Sequence, residues 1–134
     1  MNRPIKAKVL IARAVFPQVL ERLAQSLEVE SNQDDVLWTQ AQLIERLRGK
    51  HGVFTTGGER IDEALLLACP DLRICANMAV GYNNFDLPAM TARGVLGANA
   101  PDVLTETTAD FVFAQAAWVS RRSRAATTRS WRSA

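Results

Sequence analysis

Short apolar runs alternate with amphipathic segments along most of this chain, and that alternation limits its possible folds more than any other feature. Lys8-Val9-Leu10-Ile11-Ala12 is a β-type run, and Pro17 then opens a helix on which Phe16, Val19, Leu20, Leu23 and Leu27 keep helical spacing. Leu27-Glu28-Val29-Glu30 alternates as a strand with one covered face does. Thr39 and Gln42 form a T-x-x-Q capping box that starts the next helix, with Trp38 placed to staple onto Leu43 and Gly49 in the position that ends it. Gly52-Val53-Phe54-Thr55 reads as a third strand, Ile61 to Ala68 as a short helix stopped by Pro70, and Leu72 to Ala76 as a fourth strand. Asp86 caps a helix running to Gly94, and Val95-Leu96-Gly97-Ala98 is a fifth strand.

Strands that alternate with helices at this spacing are joined by crossovers, so they lie parallel in a sheet covered on both faces. The expected fold class is α/β, a small doubly wound parallel sheet of the flavodoxin-like kind. Ligands bind such sheets outside the carboxyl ends of the strands. Function is therefore expected in the loops Thr55-Thr56-Gly57-Gly58, Asn77 to Asn84, and Asn99-Ala100-Pro101-Asp102. A receiver-type binding module of similar topology needs acidic residues after its first strand, and here that strand leads into Ala14-Val15-Phe16.

A chain of 134 residues, 48 % apolar, suits one globular core. It has no uninterrupted run of about 18 apolar residues, and its start, MNRPIKAKVLIAR, has neither the apolar stretch nor the cleavage site of a secretory signal, so a soluble cytoplasmic protein is expected, with no membrane partner. Cys69 and Cys75 have no second pair or nearby histidine to complete a zinc site and make no disulfide framework; both are expected to be buried small apolar side chains, and no metal is expected.

The net charge of +2 is unevenly placed. Arg121, Arg122, Arg124, Arg129 and Arg132 lie in a stretch after residue 113 that holds no acid, which leaves eleven basic against fourteen acidic groups before it. A basic tail can bind nucleic acid through phosphate contacts, but salt-sensitive binding of that kind is unspecific, and no specific nucleic-acid partner is expected. From Thr105 onward, Ala109, Val112, Phe113, Ala116 and Ala117 form one apolar helical stripe that something should cover, with Thr105 or Thr107 as N-cap. After Trp118 the pattern gives way to an Arg, Ser, Ala and Thr mixture without a period, too poor in apolar surface to offset its ordering entropy.

Three motifs in order, NMAVGYNNFD from Asn77 to Asp86, TARGV from Thr91 to Val95, and NAPDVLTETTAD from Asn99 to Asp110, resemble the D-isomer-specific 2-hydroxyacid dehydrogenases, and within them the glyoxylate, hydroxypyruvate and 2-ketogluconate reductases. The resemblance implies the catalytic (substrate-binding) domain of that family, the formate/glycerate dehydrogenase type of fold. It also implies that backbone N–H groups at Ala79, Val80 and Gly81 hold the carboxylate of a small 2-keto or 2-hydroxy acid, glycine letting the backbone approach an anion closely. The alternative for Gly81 is a positive φ in a tight turn. Thr105 matches a small hydroxyl residue near the nicotinamide, or is simply a helix N-cap. Thr55 to Gly58 either approaches substrate or is a generic turn.

The same resemblance defines what the 134 residues lack. No G-x-G-x-x-G occurs, so NAD or NADP, the family's cofactor, is not expected to bind well here, and no catalytic residue is expected in this stretch. The arginine, acid and histidine that carry the family's chemistry lie beyond the matched residues, and His51, the only histidine, precedes strand three. The expected organisation is residues 1–104 as the substrate-binding part, 105–119 as the start of an interdomain helix, and 120–134 as an irregular, out-of-frame basic tail. The chain then reads as truncated before its Rossmann domain and inactive alone, without the homodimer interface that the family carries on its cofactor domain. A non-catalytic flavodoxin-like binding module and a nonfunctional fragment with a basic tail are the other readings.

Overall fold

The computed structural model describes residues 6–101 and 109–116. The chain divides into two units, Met1–Ala100 and Pro101–Ala134. The first is a five-stranded sheet in the order β2-β1-β3-β4-β5, every neighbouring pair parallel. Its elements run β1 (Lys8–Ile11), α1 (Pro17–Ser26), β2 (Glu28–Ser31), α2 (Gln40–Leu47), β3 (Gly52–Thr55), α3 (Glu63–Ala68), β4 (Ile74–Asn77), α4 (Leu87–Ala92) and β5 (Leu96–Ala98). This is the doubly wound order expected from the alternation of runs. In the second unit residues 109–116 are helical, within the stretch whose stripe predicts a helix. Thr105, the rest of the interdomain segment and the Arg-rich stretch after Trp118 lie outside the described residues.

Right-handed crossovers explain the layering. The step from β1 to β2 runs one way across the sheet and the later steps run the other way, which puts α1 on one face and α2, α3 and α4 on the opposite face. Leu10 and Val53 of the sheet, Leu43 and Leu47 of α2, Leu65 and Leu66 of α3, and Met90 of α4 belong to one buried cluster. The α1 face is thinner. No residue of α1 is buried, and Ile74 and its partner Leu96, which alternate with the buried Cys75 and so lie on the opposite face, are 41 % and 68 % exposed. Helical cover is thus complete on one face of the sheet only within this unit.

Local chemistry sets the boundaries. Gln42 N–H donates to Thr39 Oγ1 at 3.4 Å and Thr39 N–H to Gln42 Oε1 at 3.0 Å, so the capping box is formed, and Gly49, beyond the end of α2, has φ +71°. Trp38 packs against the core that includes Leu43, with the Arg46 guanidinium 4.4 Å above its ring. Helix α3 starts later than the spacing of apolar residues predicts, because the Asp62 carboxylate accepts from Leu65 N–H and so caps it, while fully buried Ile61 makes a parallel bridge to Phe85. Leu27 ends α1 instead of starting β2, its N–H donating to Leu23 carbonyl. Leu72 likewise belongs to the turn after α3, where its N–H donates to Cys69 carbonyl, and β4 begins at Ile74.

Candidate functional site

Strand order reverses beside β1, so the loops that leave the carboxyl ends of β1 and β3 meet at the switch point, and the loops after β4 and β5 follow along the same edge. The loop after β4 is built on Asn77, which is 4 % exposed. Its Nδ2 donates to Gly81 carbonyl at 2.8 Å and to Asn84 Oδ1 at 3.1 Å, and its Oδ1 accepts from Thr55 Oγ1 at 3.1 Å. Asn84 Nδ2 in turn donates to Glu59 carbonyl at 2.9 Å, which ties the loop after β4 to the loop after β3. From the β5 side, Asn99 Nδ2 donates to Val80 carbonyl at 2.7 Å and Ala100 N–H to Ala79 carbonyl at 3.0 Å.

The carbonyls of Ala79, Val80 and Gly81 are therefore all engaged, whereas among the described residues their N–H groups have no protein acceptor. Gly81 does not have positive φ, and a Cβ built there would meet nothing within 4 Å, so neither a left-handed turn nor packing against the protein requires glycine at this position. The positive φ belongs to Gly57, at +101°, where a Cβ would sit 3.7 Å from Ala79 Cβ. The Thr55 to Gly58 turn thus lies against the base of the loop after β4.

An ionic clasp closes the β1 side. Arg13 Nε donates to Asp35 Oδ1 at 2.8 Å and Nη2 to Oδ2 at 3.0 Å, while Ala14 N–H donates to Oδ1 at 3.1 Å. The hydrogen bonds from Arg13, then that from Ala14, hold the Asp35 carboxyl down at about 2 from an ordinary 3.8, and the bond to Asp35 raises Arg13. Glu59, 7 % exposed, takes Thr56 N–H on Oε2 at 2.9 Å, and its Oε1 has no hydrogen bond, with Arg13 Nη1 at 3.9 Å. Arg13 is accordingly engaged with two carboxylates and is not offered to an anion. Beside the clasp, Phe16, Val19, Phe54 and Met78 line an apolar hollow of about 370 Å³.

Residues singled out for other reasons lie elsewhere. His51 Nδ1 accepts from Lys8 N–H at 3.0 Å and its carbonyl from Arg73 N–H, which places it at the amino ends of the strands, opposite the site. Cys69 and Cys75 are buried free thiols; burial pushes Cys69 up and Cys75 up to about 12. No three of His, Cys, Asp and Glu come together as a metal-binding group among the described residues. No helix there is long and apolar enough to cross a membrane.

Asn99 and Asn77 fell within the loops that topology singles out, but their roles had no sequence signal, because their partners are 19 and 4 positions away in loops of irregular shape. Asp35 and Glu59 were missed for a similar reason. The Arg13–Asp35 bond spans 22 positions and forms only when β1 and β2 are paired.

Together, the five parallel strands and the helices that cross between them define an α/β domain of the open, doubly wound type. The family model described as "D-isomer specific 2-hydroxyacid dehydrogenase, catalytic domain" matches residues 9–131, and the chain belongs to that family. The match runs past Trp118 into the Arg-rich stretch. The chain is 39 % identical over 110 residues to the glyoxylate reductase of Pyrococcus furiosus, covering 82 % of this chain and 33 % of that protein. It is 38 % identical over 128 residues to the glyoxylate reductase of Aeropyrum pernix, covering 91 % and 36 %. Among solved structures, the TT0316 protein of Thermus thermophilus aligns with a TM-score of 0.75 at 34 % identity, over 86 % of this chain and 37 % of that one. The NADPH-dependent glyoxylate/hydroxypyruvate reductase of Sinorhizobium meliloti, solved with NADP and malonate, aligns with a TM-score of 0.63 at 31 % identity, over 81 % and 33 %. The chain spans about a third of the length of the curated relatives it matches.

The helix starts among the described residues offer a dinucleotide pyrophosphate a reduced set of amides. A pyrophosphate needs free amides at a helix start, but α2, α3 and α4 begin with Thr39, Asp62 and Asp86 side chains already accepting from Gln42, Leu65 and Ala89 N–H. Two of those caps are carboxylates, which repel an anion. Helix α1 opens on Pro17, which has no N–H, and the N–H of Val19 already donates to Phe16 carbonyl.

Proposed function

We propose that these residues are the substrate-binding part of an NAD(P)-dependent D-2-hydroxyacid dehydrogenase, and that the loop Ala79-Val80-Gly81 binds the carboxylate of a small 2-keto acid. One observation carries the reading: the loop's three carbonyls are tied into the protein while its amides are left without an acceptor among the described residues. Unpaired amides on a rigid loop are an anion cradle, and fixed N–H dipoles need no reorganisation when the ligand arrives. Glyoxylate, hydroxypyruvate and 2-ketogluconate are the substrates proposed, the first two supported by the names of the relatives. Thr105 is proposed to approach the nicotinamide in the assembled enzyme. NAD or NADP is bound by sequence other than the residues described here, and these 134 residues alone transfer no hydride. The reading places the domain in the cytoplasm.

Saturation-transfer NMR on the 134-residue chain tests the binding claim. Glyoxylate, hydroxypyruvate and 2-ketogluconate are expected to receive magnetisation, and dihydroxyacetone, a ketone without a carboxylate, is not. Equal transfer to dihydroxyacetone, or none to any keto acid at millimolar concentration, would overturn the reading.

A further inference from the structure

We infer that Asn99 and Asn77 are positioning residues that aim the amides of this loop, and that the amides they aim include Tyr82, so that the anion-binding set is Val80, Gly81 and Tyr82. The inference rests on the carboxylate-binding reading of the loop and names which groups do the binding.

A trans peptide unit is planar, with its C=O and the following N–H pointing in opposite directions. Fixing one carbonyl therefore fixes the direction of the next residue's N–H. Ala100 N–H holds Ala79 carbonyl at 3.0 Å, which turns Val80 N–H away from the β5 loop. Asn99 Nδ2 holds Val80 carbonyl at 2.7 Å and so turns Gly81 N–H away from Asn99. Asn77 Nδ2 holds Gly81 carbonyl at 2.8 Å from within the fold, which sends Tyr82 N–H outward. Among the described residues none of these three N–H groups has a protein acceptor. The peptide between Met78 and Ala79 has no comparable anchor there, since Met78 carbonyl accepts no hydrogen bond from the described residues outside regular structure. The N–H of Ala79 is consequently the least determined of the group.

The two asparagines act from different depths. Asn77 is 4 % exposed and satisfied on both sides of its amide, with Thr55 Oγ1 fixing the oxygen so that the nitrogen faces the carbonyls. Asn99 is half-buried and has one bond to the loop, so removing it disturbs little else. That difference makes Asn99 the test residue, because Asn77→Ala also removes contacts within the core.

The experiment is a titration of the ¹⁵N-labelled chain with malonate, followed by amide shifts at constant ionic strength against chloride, for the wild type and Asn99→Ala. Thermal midpoints of both are measured alongside. The wild type is expected to show its largest shifts at Val80, Gly81 and Tyr82, and Asn99→Ala to bind malonate about tenfold more weakly, a change of about 1.4 kcal/mol, with the rest of its amide spectrum and its cooperative unfolding retained. Equal affinity in Asn99→Ala, or a wild-type response at Ala79 that leaves Tyr82 still, would overturn the inference while the loop's role in binding stands. No malonate-specific shift anywhere from Ala79 to Tyr82 would overturn both.

Discussion

Asp35 adopts φ +54°, a region that aspartate and asparagine enter more readily than other non-glycine residues, and its carboxylate there accepts from Arg13 and from Ala14 N–H. Its carboxyl titrates at about 2 in the folded chain and near 3.8 when unfolded, so the charged form stabilises the fold above about pH 4 and that contribution is lost as pH falls toward 2. The Arg13–Asp35 pair is half-exposed, so the effect is modest and shrinks in salt. Asp35→Asn keeps an acceptor for Ala14 N–H and suits the positive φ but does not titrate. The thermal midpoint of the wild type should therefore fall more steeply between pH 4 and 2 than that of Asp35→Asn, and parallel curves would show that the clasp contributes nothing. None of this was legible in the sequence. Arg13 follows an apolar run and Asp35 sits in a polar stretch, and their meeting depends on the pairing of β1 with β2. The opposite holds for the loop Asn77 to Asn84, whose motif pointed to the site, although the direction of each amide depends on Asn99 and Ala100, which only the fold brings near.

The elements best read from sequence are those whose ends carry their own chemistry. Thr39 and Gln42 close a capping box within one turn, and Asp86 accepts from Ala89 N–H at the start of α4, both as the residue spacing requires. Thr39→Ala removes the acceptor for Gln42 N–H, and about 1 kcal/mol of stability should go with it. Chemical denaturation measures this through the midpoint at constant slope, and no change would mean that solvent replaces the cap at no cost. The elements read less well are those bounded by tertiary contacts. Ile61 looks like the first apolar residue of a helix, yet it pairs with Phe85 in a parallel bridge, and Asp62 is the cap. Leu72 is apolar because it is buried in a turn, not because it is in a strand. Burial and secondary structure are separate demands on a side chain, and hydrophobic pattern alone reports only the first.

At the scale of the whole molecule, the alternation of runs implied a parallel doubly wound sheet, and the sheet is of that kind, with crossover handedness setting which face each helix covers. The even cover of both faces that such a sheet suggests is not present within the first unit. Leu65, fully buried on the α3 side, and Leu96, 68 % exposed in β5, make the comparison quantitative. Leu65→Ala should cost about 2–5 kcal/mol, and Leu96→Ala should stay within about 0.5 kcal/mol, both read by denaturant unfolding. A large loss at Leu96 would show that the second face is packed in solution. On the proposed reading, substrate recognition resides in these 134 residues and hydride transfer does not. The most direct test of that claim follows the absorbance of NADH or NADPH mixed with the purified chain and glyoxylate, hydroxypyruvate or 2-ketogluconate. The predicted trace is that of the blank; steady oxidation of the nicotinamide by this chain alone would contradict the claim, because it demands a dinucleotide site and a proton donor within these residues.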